Sequence, residues 1–191
     1  MKRNIKNIVN IERLQTLMQK FTDATETPTA FIGLDAEVLV ASGWQDICTK
    51  FYRGNPDSCK NCFESDTAIA NQLSAGKKSN LYRCLNGLTD VAVPIIIDGE
   101  HMANLFIGQF LLEKPDKNFF INQAAKYGFN EKEFMSALEK VPVLSEEEVN
   151  KKIDFLTELA VMISDLGLNR LKMLELTEDC PATTIITADD N

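Results

Sequence analysis

The feature that most constrains this chain is a pair of apolar runs joined by a tight-turn dipeptide. Residues 89–98 read TDVAVPIIID and residues 100–112 read EHMANLFIGQFLL, with Asp98-Gly99 at the junction. Asp-Gly suits a two-residue hairpin because both central positions need positive φ. Each run is far short of the roughly 20 residues that span a bilayer. The chain is therefore committed to a central antiparallel pair. Residues 80–85 add a strand across Asn86-Gly87, and residues 29–34 and 37–41 flank Asp35-Ala36 as a further hairpin.

The remaining segments carry helical periodicity. Ile5, Ile8, Val9, Leu14, Leu17, Met18 and Phe21 predict an amphipathic helix over residues 4–24, ended before Pro28. Residues 44–53 read as a short helix, broken by Gly54-Asn55-Pro56-Asp57. Residues 58–75 read as another, stopped by Gly76. A helix over 116–127 ends at Gly128, and Asn130 caps the next, to about Lys140. Ser145 and Glu148 form a capping box. The helix it opens carries Val149, Ile153, Leu156, Leu159, Ile163 and Leu166, a coiled-coil-like seam that Gly167 interrupts before Leu168, Leu171 and Leu174. The expected fold class is α+β: an antiparallel sheet of about five strands, helices on one face enclosing a pocket, and amphipathic helices at both ends.

Composition narrows the function classes. The 191 residues are 45% apolar and 25% charged, which suits one globular domain. A net charge of -8 disfavours nucleic acid and anionic membrane surfaces as direct partners. Residues 1–10 are basic but contain no apolar signal core, so the expectation is a soluble cytoplasmic protein. There is no phosphate-binding loop, dinucleotide fingerprint or G-x-S-x-G pattern. The single histidine, His101, follows the central turn and has no evident nucleophile beside it. The expected role is not enzymatic.

Four constellations carry chemistry. Cys59 and Cys62 form a C-x2-C pair at a helix start, with Cys48 upstream and Cys84 downstream. Four thiolates would suit zinc or an iron–sulfur cluster; the alternative is that buried cysteines act as small hydrophobes. Trp44 and Phe51 lie in the aromatic segment SGWQDICTKFYR (42–53) and either wall a pocket or fill a core. Cys84, Asn86 and Asp90 sit around the Asn86-Gly87 turn. Asp90 opens an apolar strand, so it either caps the turn or needs a polar partner such as a hydroxyl-bearing ligand. Gln109 interrupts the last strand, as ligand contact or structural amide. Strict alternation puts it on the face of Leu105 and Ile107, opposite Phe110.

SGWQDICTKFYR (42–53), CFESD (62–66), YRCLNGLTDVAVPI (82–95), HMANLFIGQF (101–110) and KYGFN (126–130), in this order, resemble the PocR sensory domain, a PAS-like module of prokaryotic signalling proteins. The resemblance runs from about residue 11 to 174. It implies a PAS-like sheet and recognition of simple hydrocarbon derivatives such as small diols. It also implies fusion or coupling to histidine kinases, cyclic-dinucleotide enzymes or DNA-binding modules. Cys48, Cys62 and Cys84 fall where the family typically has cysteine; Cys59 departs from the pattern.

The expected organisation is an N-terminal helix (1–26), a sensory core (27–145), a C-terminal signalling and dimerisation helix (146–178) and a tail (179–191). The expected function is non-catalytic binding of a small polar ligand by Trp44, Phe51, Cys84, Asn86, Asp90 and Gln109, relayed through the terminal helices of a homodimer to an output partner such as a histidine kinase. The rivals are a metal or redox sensor using Cys48, Cys59, Cys62 and Cys84, and a module that merely dimerises or docks.

Overall fold

The computed structural model describes residues 3–178. The expected tail, with Cys180, lies outside the described residues. Five strands form one antiparallel sheet: β1 Thr29–Gly33, β2 Val38–Ser42, β3 Asn80–Arg83, β4 Thr89–Ile97 and β5 Glu100–Phe110, in the order β2-β1-β5-β4-β3. This is the mixed α+β, PAS-like arrangement. The central pair is β4 and β5, and Asp98 and Gly99 both take positive φ in the turn that joins them.

Helices cover both faces. On one side lie α1 (Ile5–Ile8), α2 (Ile11–Thr25) and the long α6 (Glu146–Glu178). Their apolar residues, among them Leu14, Met18, Leu156 and Ile163, close over Phe31, Val93, Leu105 and Ile107 in the larger core. On the other side, α3 (Pro56–Ser74) packs Ile69 and Leu73 against Ala30, Ile32, Ala92 and Phe106. Beyond the end of the sheet, α4 (Lys117–Tyr127) and α5 (Glu131–Leu138) build an aromatic cluster around Phe120 and Phe134.

Two local expectations change. The first helix is two, because Asn10 turns its side chain onto the Arg13 N–H at 2.9 Å and starts a new helix after Val9. The segment after Trp44 is a π-helix, Ile47–Tyr52, in which the Arg53 N–H reaches the Cys48 carbonyl at 2.8 Å, five residues back. Gly167 breaks the apolar seam of α6 but not the helix. The helix runs through it, and a Cβ there would collide with Ile97. Glycine lets α6 lie close on the sheet. The capping box forms as expected: Ser145 Oγ accepts from the Glu148 N–H at 3.3 Å, and the Glu148 carboxylate accepts from the Ser145 N–H at 2.8 Å.

Candidate ligand-binding site

The α3 face of the sheet is where the unusual residues gather. The buried stripe of α3 is Ser58, Ser65 and Asp66 in its first half and Ile69 and Leu73 in its second. A helix that buried only apolar contacts would not be polar over two turns. The Ser58 hydroxyl donates to the Tyr52 carbonyl at 2.8 Å, which ties α3 to the π-helix. The Ser65 hydroxyl accepts from the Leu85 N–H at 3.1 Å, which ties it to the turn after β3.

Between these elements sits an ion pair. Arg53, at the end of the π-helix, donates to Asp66 at 2.8 Å and lies 4.8 Å from the centre of the Trp44 ring. Burial pushes the Asp66 carboxyl above its ordinary range, and Arg53 beside it opposes the rise. The Trp44 indole N–H donates to the Thr29 carbonyl at 3.0 Å, so the ring is anchored on β1.

Asp90 is the second carboxylate. Burial raises its pKa to about 7, against the one hydrogen bond that lowers it, from the Gln109 N–H at 2.9 Å. Its position depends on a bulge. Thr89 pairs with Phe110 and Asp90 with Gly108, so Gln109 is the extra residue, at φ 66°. A Cβ on Gly108 would collide with the Asp90 carboxylate, so glycine lets that carboxylate lie against the β5 backbone. The bulge also reverses the facing of the last residues of β5. Phe110 joins Leu105 and Ile107 in the terminal-helix core, and the Gln109 side-chain oxygen accepts from the Gln45 N–H on the opposite side. The alternation expected from the sequence is corrected by that one-residue step.

Cys48, Cys62 and Cys84 influence one another and Tyr52, and Asp90 acts on Cys48 and Cys84. Burial pushes Cys62 up to about 11 and Cys84 up to about 12, and raises Cys48 as well. With no metal bound these thiols are protonated at neutral pH, so none is a ready nucleophile. All four described cysteines, Cys59 included, are free. Among the described residues no three His, Cys, Asp or Glu are disposed to hold a metal ion. Tyr52 is fully buried, and its hydroxyl has no hydrogen-bond partner among the described residues.

Cys48, Cys62, Tyr82, Cys84 and Asp90 each keep accessible surface although burial dominates their titration.

The expected residues do not all meet at this site. Asn86 is spent internally: its amide donates to the Ser58 carbonyl at 3.1 Å and accepts from Asn61 at 2.9 Å. Phe51 packs edge-on to Phe129 and Phe134, 5.4 and 5.2 Å between centroids, in the aromatic core. The Gln109 oxygen is taken by Gln45. His101 is tied to Asn104 at 2.8 Å and to Ser74 at 2.6 Å. Arg53 and Asp66 do not stand out in the sequence. The polar spacing of residues 58, 62, 65 and 66 on a helix face is the signal for Asp66.

Comparison with known families decides what this arrangement belongs to. The model described as the sensory domain found in PocR matches residues 7–168. The chain belongs to the PocR sensory-domain family. The PocR match spans every strand and the residues of the site. One curated relative is Regulatory protein PocR of Salmonella typhimurium, 26% identical over 105 residues, which are 54% of this chain and 34% of that protein. The chain thus spans about a third of that relative's length. As a PocR domain the chain is a sensory module of signalling, and no helix among its described residues is long and apolar enough to cross a membrane.

Proposed function

We propose that this domain binds a small, uncharged, polar organic molecule, of the size of a short-chain alcohol or diol, without transforming it. One observation carries the reading: every ionisable group at the site is neutral or cancelled. Arg53 and Asp66 neutralise each other at 2.8 Å. Asp90, titrating at about 7, is largely protonated in mildly acidic solution, and the thiols stay protonated. An ionic ligand would find no unpaired counter-charge there. A hydroxyl-bearing ligand would find the Asp90 carboxyl, the Tyr52 hydroxyl, which has no partner among the described residues, and the Trp44 ring. The family's sensory role and the small diols implied by its motifs point the same way.

The relay runs through β5. The Gln109 backbone N–H holds the Asp90 carboxylate, and its neighbour Phe110 packs under the terminal helices. A ligand that competes for the Asp90 carboxylate loosens the bond that holds the bulge, and Phe110 carries the change to α6. Occupancy shifts this equilibrium only by the ligand's affinity difference between the two packings. A histidine kinase or another output module would receive the signal.

Trp44 is the only tryptophan and reports on the site directly. In a titration of the full chain with C2–C4 vicinal diols, its fluorescence changes and saturates. A five-heavy-atom diol, at no more than about 1.5 kcal/mol per atom, is limited to low-micromolar affinity at best. Asp90→Ala weakens binding at least about tenfold. A folded Asp90→Ala variant with wild-type affinity would remove Asp90 from the site.

A further inference from the structure

The coiled-coil-like seam expected on the last helix is used within the chain except at Leu166, which is exposed. Val149, Leu156, Leu159, Ile163 and Leu171 are all buried against the sheet. An adjoining flank of α6, about a third of a turn around from that seam, carries a second apolar row. Phe155, Met162, Leu166, Met173 and Leu176 remain 48%, 48%, 63%, 65% and 69% exposed. Their spacing is 7, 4, 7 and 3, and the 7 between Leu166 and Met173 is divided 3 and 4 by exposed Asn169. From Met162 onward every third or fourth residue fits one heptad register, with Leu166 and Met173 at the first core position and Met162, Asn169 and Leu176 at the second.

The row continues onto α2. Phe21 stacks on Phe155 with ring centroids 4.9 Å apart, and Leu17, 44% exposed, faces Met162 and Leu166 across a groove of about 350 Å3. Six side chains at these exposures, each with a full area of the order of 200 Å2, leave about 700 Å2 of apolar surface. Isolated domains rarely show more than a few hundred Å2 in one patch. A stable interface takes about 800 Å2 from each partner.

We propose that this α2–α6 face is a two-fold interface with a second copy of this chain, the two α6 helices running parallel. The pattern itself selects the occupant. A heptad row is complementary to another heptad row in the same register, and a second copy supplies one by symmetry. The exposed area matches one side of such an interface. Asn169, the single polar residue within the repeat, would meet its own counterpart across the axis, where a buried amide costs stability unless it is hydrogen-bonded. The interface is separate from the ligand site, on the other face of the sheet, so each stands without the other.

Analytical ultracentrifugation of the full chain from 1 to 100 µM, with and without the substitutions, tests this. The wild type sediments as a dimer. Leu166→Glu, at an exposed position that leaves the fold intact, weakens the dimer on the order of 100-fold or more by placing a charge at the axis. Asn169→Leu tightens it at least about tenfold. Trp44 fluorescence, read on the far face of the sheet, confirms that each variant is folded. A wild type that stays monomeric at 100 µM overturns the proposal and leaves the face to a different partner. A dimer that Leu166→Glu does not weaken places the interface elsewhere and overturns it too. Diol binding that persists in the Leu166→Glu monomer keeps the two readings distinct.

Discussion

Asp90→Asn separates charge from shape at the site. Asparagine keeps a carbonyl oxygen where the Asp90 Oδ1 accepts the Gln109 N–H, and it fits beside Gly108 as aspartate does. What it removes is the titration. The folded carboxyl has a pKa of about 7, raised chiefly by burial, against about 3.9 in an unfolded chain. Three pKa units at about 1.4 kcal/mol each set an upper bound of about 4 kcal/mol. Asp90 retains some accessible surface, so water shares the cost and about 2–4 kcal/mol is expected. The sign comes from proton binding. Between about pH 4 and pH 7 the folded protein holds a proton that the unfolded chain releases, so raising the pH lowers stability, and the loss levels off above 7. In urea unfolding tracked by Trp44 fluorescence, Asp90→Asn gains on the wild type as pH rises from 4.5 to 8.5, by at least about 2 kcal/mol, with unchanged m-value. Other titrating groups cancel in the difference. Parallel stability curves for the two proteins would refute the argument that Asp90 is buried without a compensating charge.

The same geometry sets three further outcomes. Gly108→Ala forces the Asp90 carboxylate aside and lowers unfolding free energy by about 1–3 kcal/mol; in an Asp90→Ala background the penalty shrinks by about 1 kcal/mol in a denaturation double-mutant cycle. Tyr52→Phe deletes a buried hydroxyl that has no partner among the described residues, so the ligand-free domain keeps or gains stability, by up to about 1–3 kcal/mol in urea. The same variant loses diol affinity in the Trp44 titration. Ser145→Ala removes the cap of α6 and costs about 1 kcal/mol in thermal unfolding.

The sheet was legible because its signals are local. Asp98-Gly99 and Asn86-Gly87 mark turns by their φ requirements, and the strands between them alternate or run apolar. Helix ends at Asp116, Gly128, Asn130 and Ser145 were equally local, each resting on a cap side chain or a positive φ, whereas Asn55, read as part of a breaker, caps α3. The facing of residues beyond Gly108 was not legible. A one-residue bulge reverses the facing, and the collision that demands glycine is with Asp90, eighteen positions away. The site was half-legible for the same reason. Trp44, Cys84 and Asp90 could be picked out as chemical anomalies in apolar surroundings. Asn86 looked like one too, but its amide is consumed by Ser58 and Asn61, a contact no local pattern encodes. Arg53 and Asp66 are thirteen residues apart and read singly as surface charges; only the fold makes them a pair. Periodicity found the inner seam of α6 but not its occupant, since a seam that fits a second helix fits a sheet as well.

The central claim is that a small uncharged molecule enters between α3, the π-helix and the sheet. Two-dimensional amide NMR of the full chain, titrated with C2–C4 vicinal diols to 50 mM at pH 6.5, tests it most directly. Saturable shifts concentrated at residues 44–53, 62–66, 82–90 and 108–110, absent in Asp90→Ala, are the predicted result. Shifts confined to the α2–α6 groove, or a spectrum that no diol moves, would contradict it.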